Sequence, residues 1–144
     1  MQIYAIADLH LSLTSEKPMD VFGEAWRGHA EKLERNWRER VQDDDLVLIP
    51  GDISWAMQLS AALPDLAFIG RLPGKKILLR GNHDYWWSAI GRVRASLPAG
   101  MRALQNDSFV DDGVGICGSR GWLCPGSSGL AADDEKIYQR ELDR

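Results

Sequence analysis

Three short apolar runs end in similar polar clusters, and this repetition limits the folds open to the chain. Ile3-Tyr4-Ala5-Ile6-Ala7 leads into Asp8-Leu9-His10. Leu46-Val47-Leu48-Ile49-Pro50 leads into Gly51-Asp52, and Lys75-Lys76-Ile77-Leu78-Leu79 into Arg80-Gly81-Asn82-His83-Asp84. Such runs, apolar and partly β-branched, read as buried strands. Phe22, Trp26, Ala30, Leu33, Trp37 and Val41 fall on one face of a helix predicted over residues 21–41. A second helix is predicted over 60–69, with Pro64 inside it, and a third over 85–96. Strands alternating with helices predict an α/β fold with parallel strands and right-handed helical crossovers. In open sheets of this kind, ligands sit beyond the carboxyl ends of the strands. All three polar clusters fall there.

After Gly100 the spacing changes. Residues 101–104, 108–110 and 114–117 read as short strands of a second sheet layer, joined by polar turns at Asn106-Asp107 and Asp111-Asp112-Gly113. A helix is predicted from Asp133 onward. The 144 residues are expected to form a single domain that stops before its second layer is complete. With 17 Lys and Arg against 21 Asp and Glu, the net charge of −4 argues against a general nucleic-acid surface. No apolar run approaches the roughly 18 residues of a membrane helix. The N-terminus carries no basic segment followed by an apolar run, so a cytoplasmic location is expected and a membrane partner is not. Cys117 and Cys124 fit neither zinc nor redox spacing and read as free thiols.

The strand-end residues have metal-ligand chemistry. Asp8 and His10 are two apart, a spacing that on a strand points both side chains to one face. Carboxylate and imidazole together suit Mn, Fe, Zn or Ni better than Ca. Asp52, on the next strand end, could bridge two ions, and Asn82 offers a neutral oxygen. His83 suits a general acid, with Asp84 placed to orient its imidazole. Asn-His-Asp before aromatic residues also reads as a helix cap. Arg120, in a glycine-flanked turn, could grip a phosphate or be an ordinary surface arginine. Trp55, Trp86, Trp87 and Trp122 lie near strand ends, where packing against the sheet is favoured over a stacking rim for a flat substrate group. His29 reads as a packed histidine of the first helix, and Lys17 as part of a solvated loop.

Asp8-Leu9-His10, Gly51-Asp52 and Gly81-Asn82-His83-Asp84 resemble the first three motifs of the calcineurin-like metallophosphoesterase superfamily. The segments 17–20, 49–57, 80–87 and 121–122 resemble a bacterial branch of phosphohydrolases. The resemblance implies an αββα sandwich of which this chain is the N-terminal part. It implies hydrolysis of a small-molecule phosphomonoester or phosphodiester, with a nucleotide among the candidates, and two divalent metal ions. It places Asp8 and His10 on one ion, Asn82 on the other, Asp52 between them, and His83 as proton donor or phosphate contact. Relatives carry a later histidine and a Gly-His-X-His element. This chain has three histidines, His10, His29 and His83, and none later. The departure keeps open a non-catalytic α/β binding module, or a fragment lacking the later metal ligands.

Overall fold

The computed structural model describes residues 1–144 except 15 and 16. Two compact units result, Met1–Ala103 and Leu104–Arg144. In the first, β1 (Ile3–Ala5), β2 (Leu46–Pro50), β3 (Lys75–Leu79) and β4 (Met101–Ala103) form one parallel sheet in that order. Ile3 pairs with Leu46, Leu46 with Lys75, and Lys76 with Met101. The crossovers carry α1 (His29–Arg40), α2 (Leu59–Gly70) and α3 (Ile90–Ser96). The parallel sheet with helical crossovers is thus the α/β architecture read from the sequence. Residues 101–103 depart from the expectation: they extend the first sheet beside β3 instead of starting a second layer.

β2 is apolar throughout and β3 is apolar from Ile77 to Leu79, the pattern of strands covered on both faces. Val47, Ile49, Leu78, Leu66, Ile69 and Trp37 belong to one core cluster. Lys76 is also buried, because its ammonium reaches the carbonyl of Gly70, the last residue of α2, and that of Leu72 just beyond it. Burial holds its pKa below the usual lysine value.

The helix predicted over 21–41 is interrupted. Gly23 (φ 125°) and Gly28 (φ 62°) leave helical space, so two short 3-10 turns at Met19–Phe22 and Glu24–Trp26 precede α1. The apolar spacing continues through both glycines, which is why periodicity alone reads one helix. The helix predicted over 85–96 begins only at Ile90. Trp86 and Trp87 occupy a turn that buries both indoles in the core, as packing residues and not as a rim.

In the second unit, β5 (Asp107–Asp111) and β6 (Val114–Gly118) form an antiparallel hairpin, and α4 spans Ala132–Leu142. Asp112 (φ 47°) and Gly113 (φ 79°) make its turn, where two positive φ values match the twist of a tight hairpin. Cys117 and Cys124 are exposed free thiols. No helix among the described residues is long and apolar enough to cross a membrane.

Candidate metal centre

The pairing of β1 with β2 does not stop where the strands end. Ile6 N–H donates to Leu48 O (3.0 Å), Asp8 N–H to Gly51 O (3.1 Å), His10 N–H to Asp52 O (2.9 Å) and Leu11 N–H to Ile53 O (2.9 Å). The two loops therefore run side by side. This ladder brings the Asp8-Leu9-His10 segment against Asp52.

The backbone there is unusual. Asp8, His10 and Asp52 have φ of 58°, 43° and 52°, in the left-handed region that side-chain-bearing residues enter at a cost. Asp8 and His10 therefore converge through left-handed backbone on either side of Leu9, not through the pleat of a strand, which ends at Ala5. The expectation of one strand face is corrected, while the expected meeting of the side chains holds. One ligand atom from each of Asp8, His10 and Asp52 lies within 4.8 Å of the others. His10 Nε2 is 3.8 Å from Asp8 Oδ1 and 3.8 Å from Asp52 Oδ2. Asp52 is buried, whereas the side chain of Asp8 is 64% exposed, so the group opens toward solvent on the Asp8 side.

The turn after β3 closes round Asp52. His83 N–H donates to Asp52 Oδ1 at 3.0 Å. A Cβ on Gly81 would overlap the Asp52 carboxylate and amide, and one on Gly51 (φ 101°) would stand 2.6 Å from Gly81 Cα. Only glycine allows the two turns to approach this closely. Asn82, between Gly81 and His83, is exposed on that turn.

Asp84 has a different place from the one expected. It is fully buried and accepts from Ile53 N–H (2.8 Å), Ser54 N–H (3.2 Å), Gly81 N–H (2.8 Å) and Trp86 Nε1–H (2.8 Å). Neither orienting the His83 imidazole nor contacting substrate fits a carboxylate enclosed in this way. It pins the β2 loop to the β3 turn. Burial raises its pKa, and the four donors work against that rise.

Aromatic rings line the group. The His10 and Trp55 rings stack at 4.6 Å and 20°. The His83 ring is 5.3 Å from Trp55, 5.9 Å from His10 and 6.4 Å from Tyr85. Lys17 Nζ lies 5.4 Å from the Trp55 ring centre. His29 reaches Leu9 O through Nε2 at 3.2 Å, bracing the peptide between Asp8 and His10 from α1. In the second unit Arg120 lies over the Trp122 ring at 4.3 Å, and Trp122 Nε1–H donates to Asp134.

One contributor leaves only a faint signal in the sequence. Asp65, on α2, is buried and accepts from Leu13 N–H (3.0 Å) and Ser54 Oγ (2.5 Å). It joins the loop after β1 to the loop after β2. Burial holds its carboxyl above the usual range. A single acid on an otherwise apolar helix face is the only hint of this role.

The calcineurin-like phosphoesterase family model matches residues 1–142. The chain belongs to that family. Membership makes it a relative of hydrolases acting on phosphoesters, and the Asp8-His10-Asp52 group could hold a metal ion. Among solved structures, a protein of unknown function from Aquifex aeolicus is similar in fold. It shares 20% identity over 97% of this chain and 72% of its own, with a TM-score of 0.56. No curated protein matches the sequence significantly. A mixed carboxylate and imidazole donor set fits the divalent metals of this phosphoesterase family.

Proposed function

We propose that the protein hydrolyses a phosphate ester of a small molecule with the help of two divalent metal ions. Asp8 and His10 would hold one ion, Asn82 the other, and Asp52 would contribute to both. Ions held there would neutralise the charge that develops on the phosphoryl oxygens. The observation that carries this reading is the convergence of Asp8, His10 and Asp52, all three held in left-handed backbone. Strain of that kind persists where the surrounding structure over-determines it, and it gathers at functional sites.

The chain's own residues supply the rest. The Gly81–Asp84 turn fixes Asp52 through the His83 amide, so one segment sets both the carboxylate and the neighbouring imidazole. His83 is partly exposed beside the group, with its ring free of Asp84, and is suited to give a proton to the leaving alkoxide. Lys17 lies on the aromatic wall, and a phosphate group entering the site would meet a cation there.

Purified protein loaded with manganese should contain bound metal and turn over a nitrophenyl phosphodiester or phosphomonoester. His83→Asn should leave metal content intact and lower turnover of an alkyl phosphate ester by about 10²–10⁴-fold, the usual reach of general acid catalysis. The loss should shrink with nitrophenyl esters, whose leaving group needs little protonation. Loss of a metal equivalent on that substitution would instead put His83 among the ligands.

A second reading has its own support. Of the three histidines, His29 is turned to a backbone carbonyl, so two imidazoles face the site. A chain that retains manganese yet turns over no phosphate ester would be a metal-dependent binding module.

A further inference from the structure

We infer that Trp55 is a positioning residue, whose indole face fixes the ring of His10 in the direction needed for metal binding. The inference rests on the proposed metal centre. A metal-binding histidine is ordinarily oriented by a hydrogen bond from its second ring nitrogen to a carboxylate or carbonyl. His10 lacks that support: its Nδ1 is buried and meets no hydrogen-bond partner among the described residues. Something else must stop the ring turning about its last torsion. The nearly parallel indole of Trp55, at 4.6 Å and 20°, is placed to do so. Rotation of the imidazole would drive its edge into that face.

The indole is itself well held. Trp55 N–H donates to Leu11 O at 2.9 Å, and its Nε1–H points to Met19 Sδ at 3.1 Å. The segments bearing Leu11 and Met19 both follow β1, so the loop that presents His10 also anchors the ring that orients it. Trp55 contacts His83 as well, so one side chain touches both the ligand imidazole and the proposed proton donor. Rotation of the indole would disturb both.

Manganese affinity and nitrogen coupling test the inference. In Trp55→Leu, a substitution that keeps an apolar group but removes the aromatic face, the Mn²⁺ dissociation constant should rise about 10–100-fold, the range typical of losing a ligand's supporting partner. Trp55→Phe should restore affinity to within a few-fold of wild type. Pulsed EPR of bound Mn²⁺ should show imidazole nitrogen coupling in wild type and Trp55→Phe, and weakened coupling in Trp55→Leu. In a His10→Asn background, Trp55→Leu should add little further loss, because no imidazole remains to be oriented.

A readout without metal covers the case in which Trp55→Leu fails to fold. In metal-free wild type, the His10 ring protons should resonate upfield of an ordinary histidine because they lie over the indole. Ordinary shifts would overturn the inference. So would equal Mn²⁺ affinity in a folded Trp55→Leu, or an equal loss in the His10→Asn background. Wild type that binds no Mn²⁺ would sink the metal-centre reading and this inference together. Wild type that binds it while Trp55→Leu binds it equally well would sink this inference alone.

Discussion

Two regions of the molecule place residues with side chains in left-handed backbone, and they do so for different reasons. In the second unit the residues are Asn106 and Asp112, at either end of the β5–β6 hairpin. Asn, Asp and His all tolerate this conformation better than most residues, so residue type does not separate the two regions, but Asp112-Gly113 is a dipeptide suited to tight hairpins. Local chemistry accounts for the geometry there. At the metal centre, Asp8, His10 and Asp52 adopt the same conformation without a following glycine to ease the turn. Their geometry comes from elsewhere: the ladder between the β1 and β2 loops, the contact of Gly51 with Gly81, and the buried carboxylates of Asp84 and Asp65. A hairpin turn can be read from two letters, whereas a strained site needs its surroundings.

The sharpest way to break this comparison is to substitute one glycine from each region. Gly81→Ala should cost about 1–3 kcal/mol of stability by overpacking, and it should abolish metal binding by displacing Asp52. A Cβ on Gly113 would meet open space, so Gly113→Ala should cost only its backbone strain, about 1–2 kcal/mol, and leave metal content unchanged. Urea titration with metal analysis would separate the two. Retention of metal by Gly81→Ala would show that the close approach is dispensable.

Asp65 tests whether support from outside the turns matters. Its carboxyl is held above the usual range by burial, so the folded state keeps that proton to a higher pH than the unfolded chain. The stability this confers is fully present below the ordinary aspartate value of about 3.9, and it is lost as pH rises through the raised value. Asp65→Asn removes the titration. Wild-type stability relative to the variant should therefore decline as pH rises across that window. A flat difference between pH 3 and 7 would mean that Asp65 titrates as it does in the unfolded chain.

The smallest effect belongs to the hairpin. Asp112→Gly should change stability by less than about 1 kcal/mol, since relief of a positive φ offsets the greater freedom of glycine in the unfolded chain. Thermal melts would detect a larger loss, which would show that the Asp112 side chain supports the turn.

The same contrast explains what could be read in advance. The parallel order of β1, β2 and β3 was legible because apolar runs alternated with helical spacing, and the meeting of Asp8, His10 and Asp52 followed from their place at strand ends. The way Asp8 and His10 meet was not legible, because a two-residue spacing looks the same in a strand and in a segment with left-handed residues on either side of Leu9. Gly23 and Gly28 were hidden inside apolar spacing that continued through them. Asp84 beside His83 invited a partnership, but the Ile53 and Ser54 amides, some thirty residues earlier in the chain, join the nearby Gly81 and Trp86 donors in turning it inward. Asp65 had no partner within reach of a local reading: Ser54 is 11 residues away and Leu13 is 52.

Lys76 has a consequence for how the protein opens. Its backbone lies in β3, while its ammonium reaches the carbonyl of Gly70, the last residue of α2, and that of Leu72 just beyond it. Fraying of the last turn of α2 would strand a cation inside the core, and slippage of β3 would strip those carbonyls of their donor. The two elements are thereby joined into one cooperative unit. Amide hydrogens of residues 67–70 and 76–79 should exchange with solvent together, on the timescale of a shared opening and not as separate local events.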